Sequence, residues 1–456
     1  MNSLFPLPLT PFEHYLWTDD HAAYPMAFSL VMYFDGEMQQ AAFDSALSET
    51  VARHPLLSCV IDPAARPVPA WIFREGLRPP VDWGSLDARL VSNDGLPIDL
   101  TRQSGLRFWI RRGGGRTEMT IQSHHCMMDG MGIMRLLGDL LGYYSHYAES
   151  DSPKPQLPPS DAAQLLRRGE YVFEPPEPVT RWRMIRTTLR EAFLMFWRRP
   201  APLMLPPRSN RDGGVRPTPF PGLKSLTFDA PLTKTLLNYC RQRGVTLNDL
   251  LLRDMFLAVR DWNERLNPAR PGRWLRVNMP VDLRGKLHEG IPSTNVMSYT
   301  FLTRSSRDCR DRRRLLETIG WETRTIKRWN LGLLFLDGLN ASRKIPGAMK
   351  IFTSGRIGFA TVVLSNLGEI SRRFGVRFPH RDGRLLMGNL LFRRLIAAPP
   401  VRPMTRAAFV LNVYHGELTV SVRCDPHLFA EEDAEKFLDG LAGRLRQTAA
   451  EFAAEA

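Results

Sequence analysis

A pair of histidines stands where a predicted strand meets a predicted helix. Residues 116–122 alternate β-forming and polar side chains, the pattern of a half-buried strand. The glycines that follow allow a sharp turn, and apolar residues at helical spacing then predict a helix over 131–148. The histidines are therefore expected at the rigid end of a strand, in a turn between two regular elements.

This position suits a histidine that moves protons. The unperturbed pKa of histidine is about 6.5, so the side chain can accept a proton near neutral pH. His124 and His125 are followed at short spacing by Asp129 and Gly130. The alternative interpretation is a buried pair that only satisfies the hydrogen bonds of the turn. The carboxylate and glycine at this spacing favour a general base at the mouth of a cleft.

Composition indicates a large globular chain without a disulfide framework. Its 456 residues fit two domains of about 150–250 residues each, and 43% of them are hydrophobic. The five cysteines are scattered and form no CxxC pair, which favours a reducing compartment and predicts no metal site. Cys126, inside the histidine motif, is interpreted as a packing residue.

The N-terminus and the hydropathy pattern predict a cytoplasmic protein. Residues 1–11 carry no basic region and contain three prolines, so they make a poor signal peptide. No apolar run approaches the roughly 20 residues that span a bilayer. Peripheral membrane contact stays open.

The net charge of +14 predicts an anionic partner. Nucleic acid is not expected, because no zinc finger, RRM signature or other recognisable reader is present. A phosphorylated small molecule, an acidic protein or an anionic membrane would all use the same positive field, and composition does not choose among them.

Proline content divides the chain into three parts. We predict an N-terminal lobe over 1–152, a proline-rich connection over 153–222 and a C-terminal lobe over 223–456. The predicted strands are 26–34, 57–61, 70–73, 106–111, 116–122, 223–228, 274–281, 296–302, 358–364, 409–414 and 418–424. The predicted helices are 10–20, 39–53, 131–148, 247–263, 310–331 and 430–455, with Thr246 or Asn248 as the cap of the fourth.

The connection contains one segment with helical periodicity, residues 181–199. It carries six arginines against one glutamate, with tryptophan and phenylalanine near helical spacing. This composition is typical of an interfacial membrane anchor. A crossover helix with solvated arginines would have the same composition, and both interpretations stay open.

The histidine motif carries a family resemblance. The residues from His124 to Gly130 match the HHxxxDG signature of the CoA-dependent acyltransferase superfamily. That superfamily includes chloramphenicol acetyltransferase, the condensation domains of nonribosomal peptide synthetases, polyketide-associated acyltransferases and wax ester synthases. Supporting motifs follow in the family's order: Thr10-Pro11-Phe12-Glu13, Phe34-Asp35-Gly36, Arg53-His54-Pro55-Leu56-Leu57, Val245-Thr246-Leu247-Asn248-Asp249, Pro280-Val281-Asp282-Leu283-Arg284 and Ser365-Asn366-Leu367-Gly368.

The resemblance implies a fold and a set of site residues. The fold is of the mixed α/β (α+β) class, with two chloramphenicol-acetyltransferase-like lobes in a V-shaped pseudo-dimer and a tunnel between them. The implied catalytic residues are His125, His124, Asp129 and Gly130, with Arg284 as the salt-bridge partner of Asp129 and no metal. Ser365 and Asn366 are candidates for substrate or oxyanion contact, while His54, His146 and His415 are interpreted as surface or turn histidines.

The implied function is acyl transfer. An acyl group would pass from acyl-CoA or an acyl-carrier protein to an alcohol or amine, with His125 as general base and no bound cofactor. O-acylation of a lipid or secondary metabolite is preferred. The alternative is a catalytically silent, condensation-like module that docks a carrier protein.

Overall fold

The computed structural model describes residues 4–90, 97–149, 153–172, 186, 193, 195, 197–207, 220–269 and 272–455. Its class is mixed α/β, which confirms the predicted fold class. The strands are β1 Leu7–Pro8, β2 Ala27–Asp35, β3 Cys59–Asp62, β4 Ala70–Phe73, β5 Val81–Ser85, β6 Leu106–Gly113, β7 Arg116–His124, β8 Lys224–Phe228, β9 Trp274–Asp282, β10 Met297–Ser305, β11 Val362–Glu369, β12 His380–Arg381, β13 Arg384–Met387, β14 Leu390–Ala398, β15 Ala407–Tyr414 and β16 Glu417–Cys424. The helices are α1 Pro11–Thr18, α2 Gln40–Arg53, α3 Gly130–Ala148, α4 Ala230–Gln242, α5 Leu247–Leu266, α6 Arg312–Arg328, α7 Gly332–Lys344, α8 Ala348–Phe352 and α9 Glu431–Glu455.

Two large sheets form the two lobes. The first has seven strands in the order β12-β13-β14-β2-β7-β6-β5, and the second has six in the order β10-β9-β11-β15-β16-β8. A small sheet, β1-β4-β3, lies beside the first. In the second sheet β11 pairs in parallel with both β9 and β15, so two of its pairings join segments distant in sequence.

The lobes do not divide at the predicted boundary throughout. Residues 380–398 belong by sequence to the predicted C-terminal lobe, yet β14 pairs antiparallel with β2 and extends the first sheet. That stretch of the predicted C-terminal lobe therefore crosses over to the sheet of the other lobe. Antiparallel pairing between distant segments leaves no local sequence signal. The partner of a strand can be predicted from sequence only when a short hairpin turn joins the two strands.

The apolar cores meet between the lobes. One core surrounds α2, α3 and the first sheet, and the other surrounds α5, α9 and the second sheet. Met297, Leu336 and Leu367, from the second half of the chain, pack in the first core. The contact between lobes is therefore a buried interface, which holds residues from both halves in fixed relative positions.

Local sequence patterns located most of the regular elements. The predicted helix 247–263 is α5, and the side chain of Thr246 caps it by accepting the amide of Asp249. Helices α4, α7 and α8 and strands β1, β5 and β12–β14 were not predicted. The predicted segment 181–199 lies mostly outside the described residues, although Arg186, Phe193, Met195 and Trp197 are helical.

Candidate active site

Residues 124–130, which we call the histidine turn, are held by backbone hydrogen bonds and by the cap of α3. The amide of His125 donates to the carbonyl of Met26 at 2.8 Å, which ties the turn to the start of β2. The carboxylate of Asp129 caps α3 by accepting the amide of Gly132 at 2.7 Å. An aspartate at this position accepts a hydrogen bond from an amide that would otherwise be unpaired, and its negative charge interacts favourably with the positive end of the helix dipole. The turn that carries the histidines is therefore rigid.

The imidazole of His125 lines a cavity between the lobes. It is 8% exposed, and its ring contacts the edge of Phe28 with centroids 5.2 Å apart. Nδ1 is buried, so Nε2 is the nitrogen available to a substrate. Burial lowers the pKa of His125 below its ordinary value of 6.5, although the carboxylate of Asp129 acts in the opposite direction. The side chain is therefore a neutral base at neutral pH.

His124 points elsewhere. Its Nδ1 accepts the amide of Cys126 at 3.1 Å, which leaves the proton on Nε2, 3.7 Å from a carboxylate oxygen of Asp20. It is 1% exposed and is not among the described residues that line the cavity. Its contacts hold the turn and do not reach a substrate.

Asp129 and Arg284 form a two-pronged ion pair between the lobes. Nη1 and Nη2 of Arg284 lie 2.9 and 3.0 Å from the two carboxylate oxygens of Asp129. Burial acts to lower the pKa of Arg284, but the carboxylates of Asp129 and Asp282 outweigh it and raise that pKa. The guanidinium stays charged, and the geometry is the paired donor arrangement that arginine makes best with a carboxylate.

A short loop from the second half of the chain lies across the histidine turn. We call residues 293–296 the interlobe strap. The amide of Val296 donates to Asp129 at 2.7 Å, and the side-chain amide of Asn295 donates to the carbonyls of His125 and Cys126. The hydroxyl of Ser293 donates to the carbonyl of Gly132 at 2.8 Å.

Sequence reasoning missed the interlobe strap. It holds no charged side chain, and its contacts with the turn join residues more than a hundred positions apart. The asparagine itself gave no local signal.

Two glycines at the start of α3, Gly130 and Gly132, lie close to the second half of the chain. A Cβ on Gly132 would lie 2.7 Å from the carbonyl oxygen of Thr294, so only glycine lets the strap approach α3. A Cβ on Gly130 would meet the flexible end of Leu367 at 3.2 Å and would stand in the cavity wall. Gly132 therefore allows the strap to pack closely on α3, and Gly130 leaves space in the cavity.

The cavity has a volume of about 180 Å³ and walls from both lobes. Its apolar lining includes Phe28, Leu30, Ile133, Met297, Val363 and Val410. Ser365 and Asn366, from the middle of β11, lie in the same wall, as do Asn278, Arg284 and Arg373. The cavity therefore combines an apolar body with a few polar groups, as small-molecule sites do.

The polar side chains of this wall differ in whether they already make hydrogen bonds within the protein. The amide of Asn366 donates to Asn248 at 3.2 Å and accepts the amide of Gly368 at 2.8 Å. The hydroxyl of Ser365 makes no hydrogen bond to the described residues. Asn278 is 7% exposed, and its Oδ1 has no partner in the described part of the chain. Ser365 and Asn278 are therefore free to contact a substrate.

Neither a metal site nor a cysteine nucleophile is found among the described residues. No group of three or more histidine, cysteine or carboxylate side chains there could hold a metal ion. Burial raises the pKa of Cys126 well above its ordinary value, with the carboxylate of Glu13 acting in the same direction. The neutral thiol is a poor nucleophile.

Solved structures share this architecture over nearly the whole chain. The first condensation domain of the calcium-dependent antibiotic synthetase, in complex with a substrate analogue, has a TM-score of 0.67 and 17% identity, with 98% of this chain and 97% of that chain covered. The chain has the condensation-domain fold. The predicted resemblance to the CoA-dependent acyltransferase superfamily is confirmed at the level of the fold.

Other structures with the condensation-domain fold come from different systems. Polyketide synthase associated protein 5 from Mycobacterium tuberculosis matches with a TM-score of 0.62 and 16% identity, over 98% of this chain and all of that one. The starter condensation domain of rhizomide synthetase, in complex with C8-CoA, matches with a TM-score of 0.64 and 13% identity, over 98% and 95% of the two chains.

Sequence comparison gives a partial match. A nonribosomal peptide synthetase, TES, from Alternaria alternata is 24% identical over 230 residues, which are 48% of this chain. The match spans 4% of that much longer protein. No family model matches the chain.

Proposed function

We propose that the chain transfers an acyl group from a thioester to an alcohol or amine, with His125 as the general base. One observation carries this proposal: a neutral, rigidly held imidazole opens onto a cavity lined by both lobes. Two substrates can meet there, and aligning them removes a large part of the entropic barrier.

His125 alone can supply both proton transfers that the reaction needs. Nε2 of His125 takes the proton of the acceptor hydroxyl or amine as its oxygen or nitrogen attacks the thioester carbonyl carbon. The tetrahedral intermediate collapses, the carbon–sulfur bond breaks, and the imidazolium returns its proton to the leaving thiolate. Positioned proton transfer of this kind contributes about 10²–10⁴-fold to the rate.

Ser365 is the better candidate for oxyanion contact. Its hydroxyl lines the cavity and is free, whereas the amide of Asn366 is already bound to Asn248 and Gly368. A positioned donor stabilises charge that develops on the thioester oxygen. His124, Asp129, Gly130 and Arg284 would hold the turn and shape the cavity, and would take no part in proton transfer.

The donor is proposed to be acyl-CoA or an acyl group on a carrier protein. The starter condensation domain of rhizomide synthetase was solved with C8-CoA, which supports a CoA thioester as co-substrate. The apolar cavity wall supports an aliphatic acyl group, and O-acylation of a lipid or secondary metabolite is the preferred reaction. An acidic carrier protein would fit the net charge of +14.

Membrane contact through residues 181–199 is a further part of this proposal. Within the part that the structure describes, Phe193 and Trp197 are 59% and 74% exposed and stack with ring centroids 5.6 Å apart. Exposed aromatic rings among arginines support binding at a membrane surface. No helix among the described residues is long and apolar enough to cross a bilayer.

The test is thiol release from a panel of acyl-CoAs, with and without alcohol and amine acceptors. Wild type is compared with His125→Ala and with His380→Ala, which changes an exposed histidine on β12. We expect acceptor-dependent release from the wild type and from His380→Ala, and release at the uncatalysed rate from His125→Ala. Equal release by all three proteins would remove His125 from the mechanism. Tight carrier-protein binding without turnover of any thioester would support a docking module instead.

A further inference from the structure

The interlobe strap is anchored at its start by a buried histidine. His54 is 1% exposed, so the interpretation of it as a surface histidine is wrong, although it does lie in the junction between α2 and the short 3-10 helix Pro55–Ser58. Its Nδ1 accepts the amide of Ser293 at 3.0 Å. This hydrogen bond joins residues 239 positions apart and connects the first lobe to the strap.

The tautomer of His54 follows from that contact. Because Nδ1 accepts the amide of Ser293, the ring proton lies on Nε2, which faces the carboxylate of Asp139 at 3.1 Å. Asp139 is fully buried on α3 and also binds Arg53 at 2.5 Å. Asp139 therefore orients the ring of His54 so that its lone pair points at the strap.

Hydrogen bonds made by residues of the interlobe strap connect His54 to the histidine turn. The hydroxyl of Ser293 holds the carbonyl of Gly132. Two residues later, the side-chain amide of Asn295 holds the carbonyls of His125 and Cys126. A change at His54 would therefore move the strap and, through it, the backbone of His125.

We infer that His54 is a positioning residue, which holds the interlobe strap through the amide of Ser293 and thereby fixes the backbone of His125. The effect on catalysis rests on the proposed acyl transfer. The effect on the strap does not, because the hydrogen bond from Ser293 exists whatever the turn does chemically.

Two substitutions separate the two sides of the His54 ring. In His54→Asn the side-chain oxygen can occupy the place of Nδ1 and accept the amide of Ser293, while the contact with Asp139 is lost. In His54→Gln the longer amide can reach Asp139, while the acceptor for Ser293 is lost. Asp139 keeps its ion pair with Arg53 in both variants. His380→Gln, on exposed β12, is the control for a surface change.

The first readout is hydrogen exchange of the amides of Ser293 and Val296, followed by mass spectrometry of peptides that cover 291–297. We expect exchange in His54→Gln to be about tenfold faster than in the wild type, the size of a lost buried hydrogen bond. Exchange in His54→Asn should stay within about twofold of the wild type, because the acceptor is retained.

The second readout is thiol release. We expect His54→Gln to lower kcat about tenfold with little change in KM, since a displaced base affects the chemical step more than substrate binding. His54→Asn should restore most of kcat. Equal behaviour of the two variants, or the reverse order, would mean that His54 acts through Asp139 or through packing, and would overturn the inference.

A variant of the strap itself covers the case in which changes at His54 prevent folding. Asn295→Leu removes the amide that binds the carbonyl of His125 and leaves His54 in place. We expect a fall in kcat of about tenfold or more with KM nearly unchanged. An unchanged kcat would overturn the inference. Should the wild type turn over no thioester, the exchange rates of the His54 variants decide the inference, while the proposed function fails separately.

Discussion

Both carboxylate oxygens of Asp129 contact the guanidinium of Arg284, at 2.9 and 3.0 Å, across 155 residues of sequence. Asp129 is 2% exposed and also accepts the amides of Gly132 and Val296. One side chain therefore joins the start of α3, the interlobe strap and the loop after β9.

Loss of the Arg284 side chain should destabilise the protein strongly. Arg284→Gln leaves a buried carboxylate without its cation, which costs about 3 kcal/mol of unfolding free energy. Arg284→Lys keeps the charge but gives up the paired geometry, so the cost should be smaller. Urea denaturation measures both. If Arg284→Gln unfolds at the same urea concentration as the wild type, the ion pair does not hold the lobes together.

The two turn glycines should respond differently to alanine. Gly132→Ala places a Cβ 2.7 Å from the carbonyl oxygen of Thr294, and we expect a loss of about 1–3 kcal/mol of unfolding free energy. Gly130→Ala meets only the end of Leu367, so stability should change little, while the added methyl narrows the cavity and raises KM. Thermal unfolding and thiol-release kinetics check the pair, and equal melting temperatures for both variants would contradict the close approach of the strap.

The pH dependence of activity should report the buried state of His125. Its pKa is lowered from the ordinary value of 6.5 by burial, so the side chain is still a neutral base at that pH and becomes protonated only at more acidic pH. The acidic limb of kcat/KM should therefore lie below pH 6.5. An acidic limb above this value would show that His125 is not the titrating base or is not buried.

Stability should follow the same direction. Below the ordinary pKa of histidine the unfolded chain binds a proton that the folded His125 does not, so the free energy of unfolding falls as the pH falls. Part of this loss, which begins below about pH 7, should be absent in His125→Gln. His54, whose pKa is also lowered mainly by burial, should supply a further part. Denaturation across this pH range measures both contributions.

Asn278 should show opposite effects on stability and activity. Its amide is buried in the cavity wall, and its Oδ1 has no partner in the described part of the chain. Asn278→Leu removes an unpaired polar group, so we expect the free energy of unfolding to rise by about 1–2 kcal/mol. If a substrate group binds this amide, kcat/KM should fall about tenfold or more. Unchanged kinetics would mean that Asn278 contacts no substrate.

Local patterns identified the strand, the turn and the helix around the histidines because each depends on residues close in sequence. Alternating side chains gave β7, helical spacing gave α3, and the HHxxxDG signature located His125 and Asp129. The place of Arg284 came from resemblance, and the structure has its guanidinium in contact with Asp129. Resemblance made His125 the base, and the structure adds what the two rings face, the cavity for His125 and Asp20 for His124.

The sequence by itself determined the class of the fold and the ionisable side chains of the turn. Only the tertiary structure decided which side chains surround that turn. The return of β14 to the first sheet, the strap residue Asn295 and its anchor His54 all depend on contacts between segments far apart in the chain. These contacts form when the lobes pack together, because buried polar groups must then be hydrogen-bonded and the strands at sheet edges pair with strands from elsewhere in the chain. A short window of sequence contains no information about such distant partners.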